Sequence, residues 1–349
     1  MNVCRWILAA SASVAMMVAV GHAQQIDPEH GAAGTFVAGI DEKLGGPDLP
    51  AARRPDALTI AGKVRDILER DQAVTKPVGY SIRANRVYGK VTEWANFDSG
   101  LPFYAGAIGT FFQAEEKPSP TAFKGADFGI YVNTVLQCPL EAFSPPGANG
   151  KPWMVNGNLP VLEGGRRTGD FRGYSIYDGQ CVIIGRSNAA PFVPLTREQY
   201  IQLEISGYKD RLDSMNKQYA GQTSIPAVQQ AVQTANQQLN DEIAQLQQQL
   251  VGMSAADRNG PTAVRTGYQE ATLAGVDEDG AIPLSVPNPA FFDRALPATT
   301  VQSVAVYIPF LQAGAKQEGL PVGLSEDWRP ATEKIRDGLD WAAVASLVR

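Results

Sequence analysis

Imidazole is almost missing from this chain, and that scarcity sets the chemistry open to it. Two histidines occur in 349 residues. His22 lies in an N-terminal segment that reads as removable, and His30 sits in a Gly- and Ala-rich stretch that predicts little order. Multi-His zinc sites are thereby excluded, and Ser-His-Asp or Cys-His catalysis lacks an imidazole held rigidly beside a nucleophile. Carboxylates remain. Glu93, Glu115, Glu116 and Asp127 fall in a strand-rich half, and two converging acids suffice for glycoside hydrolysis. Of three cysteines, Cys4 precedes an apolar run, which leaves Cys138 and Cys181, an even pair that reads first as a disulfide. It would close a loop of about 43 residues, for which chain entropy gives roughly 4 kcal/mol. The alternatives are two separate buried thiols, or a metal site that would need further ligands.

Short motifs that could carry catalysis lose to plainer readings. Asp98-Ser99-Gly100 has the signature of an aspartic-peptidase carboxylate, but that chemistry needs two such acids sharing a proton, and no second copy exists. Ser214-Met215-Asn216-Lys217 fits a Ser-x-x-Lys nucleophile. Its companion elements are out of order, with Tyr131-Val132-Asn133 ahead of the Ser and only Arg265-Thr266-Gly267 behind it, and Ser214 sits deep in a predicted helix. Asp277-Glu278-Asp279-Gly280 lacks the ligand spacing and terminal Glu of a calcium loop and reads as a solvated turn. Gly164-Gly165-Arg166-Arg167 offers backbone and guanidinium donors to an anion, though a solvated loop explains it as well. Trp94, Phe97, Phe103 and Tyr104 could line a small-molecule pocket, against simple core packing. No cofactor or metal site is predicted, and the balance leans away from an enzyme.

The N-terminus carries the clearest targeting pattern. One cation, Arg5, precedes fifteen uncharged residues from Trp6 to Val20, and Gly21-His22-Ala23 places small residues at the −3 and −1 positions of a cut before Gln24. That is a cleavable signal peptide over residues 1–23, because the apolar run is short for a membrane span. No later run approaches 18 apolar residues, so no transmembrane segment is expected in the mature chain. The predicted location is exported, periplasmic or secreted. Removal of the signal leaves 326 residues and shifts the formal charge from −6 to −7. With a pI near 5.1 and no basic run longer than Arg-Arg, nucleic acid and anionic membranes are poor partners. The 44% hydrophobic and 19% charged residues are those of a globular chain able to bury a core.

The elements expected to position these groups change character along the chain. Residues 24–54 predict a poorly ordered lead-in. Residues 55–195 predict a β-rich domain opening with a helix from Pro55-Asp56 to about Arg70, Leu58, Ala61, Val64, Ile67 and Leu68 forming its apolar face. Strands follow over Tyr80–Tyr88, Phe103–Phe112 and Phe128–Cys138, then a Gly- and Pro-rich surface loop over 139–170. Asp178-Gly179 predicts a tight two-residue hairpin between Tyr174–Tyr177 and Gln180–Ile184. Thr196 with Gln199 makes a capping box that starts a helix running to about Tyr219. A second helix runs from Pro226 to about Met253. In it Val232, Leu239, Leu246 and Met253 recur every seven residues, with Ile243 and Leu250 between them. Residues 196–255 thus predict a long, coiled-coil-like antiparallel helical hairpin, Gln-rich and nearly chargeless on its second helix. Residues 256–349 predict turns, a strand over Val301–Ile308 that rejoins the sheet, and a closing helix over Pro330–Val348.

The fold class expected is α+β: a mostly antiparallel sheet, a helical hairpin and a C-terminal helix. The leading function is a non-catalytic binding or scaffold component of the envelope. Its contact arm would be the hairpin, meeting another envelope protein or a second copy through Val232, Leu239, Leu246, Leu250 and Met253. A carboxylate hydrolase acting on glycans and a small-molecule carrier are the competing classes.

Overall fold

The computed structural model describes residues 26–43, 49–90, 101–115, 118, 127–135, 141–142, 154–155, 159–220, 225–266, 271–297, 299–309, 311 and 326–348. The chain is mixed α/β, with seven α-helices and an eight-stranded sheet among these residues. In chain order they are Phe36–Lys43 (β1), Arg54–Leu68 (α1), Gln72–Thr75 (α2), Tyr80–Lys90 (β2), Phe103–Gln113 (β3) and Asp127–Val132 (β4). Short strands follow at Glu141–Ala142 (β5), Met154–Val155 (β6), Leu159–Pro160 (β7) and Leu162–Glu163 (β8). Then come Arg167–Phe171 (β9), Tyr174–Tyr177 (β10), Cys181–Gly185 (β11) and Phe192–Pro194 (β12), and the helices Arg197–Tyr219 (α3), Pro226–Gly252 (α4) and Ala255–Asn259 (α5). The chain closes through Ala263–Thr266 (β13), Ala271–Ala274 (β14), Ile282–Pro287 (β15), Ser303–Tyr307 (β16), Arg329–Gly338 (α6) and Trp341–Ser346 (α7).

The large sheet runs β1-β2-β3-β4-β16-β11-β10-β9. Every neighbouring pair is antiparallel except β1 with β2. β16 lies between β4 and β11, so the late strand does rejoin the sheet. The period-2 alternation of strands sorts side chains to two faces. Tyr80, Ile82, Phe111, Phe128, Ile130, Val182, Val304 and Val306 point to one face, where α1, α6 and α7 contribute Ile60, Val64, Ile335, Trp341 and Val344 to a single core. Phe111 sits at its centre, 5.2 Å from the rings of both Phe128 and Trp328.

A second, six-stranded sheet runs β14-β13-β15-β8-β5, with β12 on β15. Its Leu284, Val286 and Val264 pack with Tyr200, Ile201, Leu203 and Ile205 of α3 and with Ile243 and Leu250 of α4. A third cluster, with Leu162, Phe192, Phe291 and Phe292 against Cys181, Ile183 and Ala305, covers the other face of the large sheet at its β16–β11 end.

Several expectations are corrected here. The stretch expected to be poorly ordered, 24–54, contributes β1, held parallel to β2 with a bulge between Ala38 and Asp41. The described part of the expected loop over 139–170 supplies β5 and β8 to the second sheet, and β13 to β15 occupy residues expected to be irregular. The hairpin at Asp178-Gly179 has three loop residues, since Tyr177 pairs with Cys181 and Gln180 N donates to Tyr177 O. The two-residue turn lies one strand earlier, at Arg172-Gly173, both with positive φ (52° and 84°). The C-terminal helix is broken, because Asp340 leaves the helical region and its side chain caps α7 by accepting from Ala343 N. Residues 1–23, Glu93, Trp94, Phe97, Asp98-Ser99-Gly100, Glu116 and Cys138 lie outside the described residues.

Candidate functional site

Two regions gather the residues of interest, and they differ in burial. The first is the pair α3 and α4. Thr196 Oγ1 accepts from Gln199 N while Gln199 Oε1 accepts from Thr196 N, the reciprocal capping predicted for the start of α3. Past the cap, Tyr200, Ile201, Leu203 and Ile205 are buried. On α4 only Ile243 and Leu250 are buried, both in the core shared with the second sheet. Leu246 and Met253 pack half-buried against that core, so Leu250 is withdrawn from any surface offered to a partner. Val232 and Leu239 lie further along and are half-buried. Over 206–220 and 225–242 no described residue is buried at all. Asn236 Nδ2 donates to Asn216 Oδ1 at 3.1 Å, linking the far portions of the two helices. Ser214 and Lys217 are exposed on α3, which fits an ordinary helix surface.

The second region is the face of the large sheet opposite the helices, over β1 to β4 and β16. Arg83 and Asn85 of β2 and Thr110 of β3 are buried there, with Tyr104, Tyr131 and Tyr307. Register explains the grouping: Arg83 pairs with Thr110, Thr110 with Asp127, Gly106 with Tyr131 and Gly129 with Tyr307, so all project to one side. Strand alternation sends two consecutive acids of β1 to opposite faces and so to different partners. Asp41 Oδ1 receives Arg86 at 2.6 Å, while Glu42 Oε2 receives Asn85 Nδ2 at 2.7 Å. The Arg83 guanidinium lies 5.5 Å from the Phe112 ring centroid. Burial pushes the Asp127 carboxyl above the usual carboxylate range, opposed by a hydrogen bond from Thr110 and the charge of Arg83 and reinforced by Glu42. Burial also raises the phenols, Tyr104 to about 12. Tyr131 and Tyr307 rise further, the charge of Asp127 adding to the desolvation.

Of the four acids singled out in the sequence, Glu93 and Glu116 lie outside the described residues, and of the other two Asp127 belongs to this cluster. Glu115 is exposed, and the charges that reach Asp127 are Arg83 and Glu42. Phe103 belongs to the helix-side core and Tyr104 to the opposite face. Glu42, Arg83, Asn85 and Tyr307 are not among the residues the sequence singles out, and Tyr131 is there only as part of the Tyr131-Val132-Asn133 element. Their available signal was alternation, with polar residues at 81, 83 and 85 standing between the apolar 80, 82 and 84.

The remaining candidates are accounted for locally. The donors of Gly165 and Arg166 are taken by Asp178, whose carboxylate receives Gly165 N at 2.7 Å and Arg166 N at 3.2 Å, so the loop binds an anion that the chain itself supplies. Glu278 caps its own turn through Gly275 N and pairs with Arg265 at 2.9 Å. His30 is exposed, 3.6 Å from Asp27. Cys181 is fully buried at the start of β11. Among the described residues no group of three or more His, Cys, Asp or Glu side chains could hold a metal ion, and no helix is long and apolar enough to cross a membrane. Comparison with protein-family models, curated proteins and solved structures gives no match.

Proposed function

We propose that this chain is an exported binding or scaffold component of the envelope, and that α3 and α4 form an antiparallel hairpin that serves as its contact arm. The observation that carries this reading is the burial gradient along the two helices: their ends at Leu203–Ile205 and Ile243–Leu250 enter the second core, while the residues beyond bury nothing fully. At 1.5 Å per residue, the 27 residues of α4 extend about 40 Å. Helices this long are usually stabilised by packing rather than propensity, so an arm meeting only itself has capacity for a further helix or sheet. From Pro226 to Gly252 the charged residues are Asp241 and Glu242 alone, and Asp241 is engaged by Gln237. Such a face imposes little charge repulsion on an approaching protein surface. Ile225 is 49% exposed and Val251 80% exposed at the two ends of α4. A Cys138–Cys181 disulfide belongs to the same proposal, as the staple suited to an oxidising compartment.

The test is cross-linking capture from the native envelope, comparing the intact mature protein with a variant lacking residues 211–241. That deletion spares the buried ends, so circular dichroism and melting should report a folded body. Capture of one partner by the intact form alone supports the arm. Equal capture by both forms, or by neither, with the variant folded, overturns it.

A further inference from the structure

A cavity lies between α6 and the turn at residues 26–31, away from both regions described above. The turn is closed on itself: Asp27 Oδ1 accepts from Glu29 N at 3.0 Å and from His30 N at 2.9 Å, and Gly31 N donates to Asp27 O. Ile26 anchors it, 3% exposed, in the core that also holds Ile335 of α6. Lys334 of α6 spans the gap, its Nζ donating to Pro28 O. The space left between turn and helix is about 730 Å³ and opens to solvent. Small-molecule sites are commonly about 300–1,000 Å³. Ile26 and Pro28 on one wall and Pro330 on the other make its apolar surface.

The charged groups on those walls are Asp27 and Glu29 on the turn and Glu333, Lys334 and Asp337 on α6. Three of them are engaged within the chain. Asp27 accepts the two N–H groups of its own turn, Lys334 is on Pro28 O, and Asp337 receives Arg336 through two nitrogens at 2.9 and 3.1 Å. Those hydrogen bonds hold both aspartyl carboxyls below the usual carboxylate range, so both stay ionised. Arg336 and Arg172 offset Asp337, whereas Asp27, Glu29 and Glu333 face Lys334 alone, which disfavours an anion. Two carboxylates are left for a ligand, one on each wall. The Glu29 side chain is exposed and has no hydrogen bond or ion pair among the described residues. Glu333 has a single long one, at 3.9 Å to the Arg336 already committed to Asp337. A ligand that satisfies both walls needs a cation at each end and an apolar stem between them. We propose that this cavity binds a linear aliphatic diamine, its methylenes against Ile26, Pro28 and Pro330 and its two ammonium groups at Glu29 and Glu333. The proposal is independent of the α3–α4 arm.

The experiment titrates the folded mature protein with 1,4-diaminobutane and 1,6-diaminohexane, followed by calorimetry and by backbone amide NMR shifts. Hexane-1,6-diol, adipate and hexylamine are the neutral, anionic and single-ammonium controls. The expected result is saturable binding of a diamine that displaces the amide signals of residues 27–30 and 333–337. Binding should weaken several-fold between low and physiological salt, because charges this exposed are screened. Glu29→Gln and Glu333→Gln should each weaken it about threefold, the value of an exposed ion pair. Neither side chain is buried, so both variants should melt with the wild type. No saturable binding of either diamine overturns the proposal, as does equal binding of the diol or of adipate. Hexylamine binding as tightly as the diamines would show that only one wall is used, and unchanged affinity in both Gln variants would place the diamine elsewhere; either outcome overturns it too.

Discussion

The large sheet and the α3–α4 pair solve the burial problem in opposite ways. The sheet covers one face with α1, α6 and α7 and the β16–β11 end of the other with the third cluster, and β2, β3 and β4 are buried along nearly their whole length. The helix pair buries only the ends that meet the second core. Two materials follow from this. One is a body whose stability is shared among many strands, and the other, on the reading proposed above, is an extension held at its base. The body should respond to single substitutions globally and the extension locally.

Truncation at the centre of the body is the largest effect expected. Phe111→Ala removes a fully buried ring that touches Tyr80, Phe128 and Trp328. The cost should be about 4 kcal/mol, read as a lower denaturant midpoint by far- and near-UV circular dichroism together. If the two probes separate, the body is not one cooperative unit. The proposed disulfide comes next. Cys138→Ser, or reduction of the intact protein, should cost roughly 3 kcal/mol, whereas no thermal shift on reduction would leave Cys181 as a buried thiol.

Asp71 supplies a change of opposite sign. It caps α2 by accepting from Ala73 N, but it is 5% exposed, and burial raises its pKa to about 6. A carboxyl whose folded pKa exceeds its unfolded value of 3.8 binds its proton more tightly in the native state. Stability is therefore present below the unfolded pKa and is lost as pH rises toward about 6. Asp71→Asn keeps a capping oxygen and should stabilise the protein by about 2 kcal/mol at neutral pH. Melting curves across pH 4 to 7 should flatten in the variant; an unchanged pH slope would show that Asp71 is not the group responsible.

The same contrast governs how much was legible in the sequence. α3 and α4 are local objects: Thr196 and Gln199 mark the start, Pro226 restarts the chain, and the 3.6-residue period needs no knowledge of distant contacts. β2 and β3 were legible because aromatic and β-branched residues crowd them. β1 was not, since Phe36–Lys43 is glycine-containing and acidic and becomes a strand only by pairing with β2, some 45 positions away. β8 and β13 to β15 are short and depend on one another, a dependence no local window contains. The tyrosine-lined face was invisible for the same reason. Tyr104, Tyr131 and Tyr307 come together through strand register, and the glycines whose missing Cβ makes room for two of the rings, Gly89 and Gly129, read locally as strand breakers.

The smallest effect sharpens the comparison most. Val232→Ala and Leu239→Ala remove half-buried apolar groups from the outer part of α4, where each should cost about 1 kcal/mol or less, since partial exposure already forfeits much of the transfer energy. The global melting temperature should scarcely move. Hydrogen exchange should nevertheless quicken in the amides of α3 and α4 beyond Ile205 and before Ile243, with β3 and β16 unaltered, because local opening of the extension need not disturb the sheet. Exchange that quickens equally in β3 would show the helices and the sheet to be one cooperative unit, and the burial gradient would then lose its meaning as the sign of an arm.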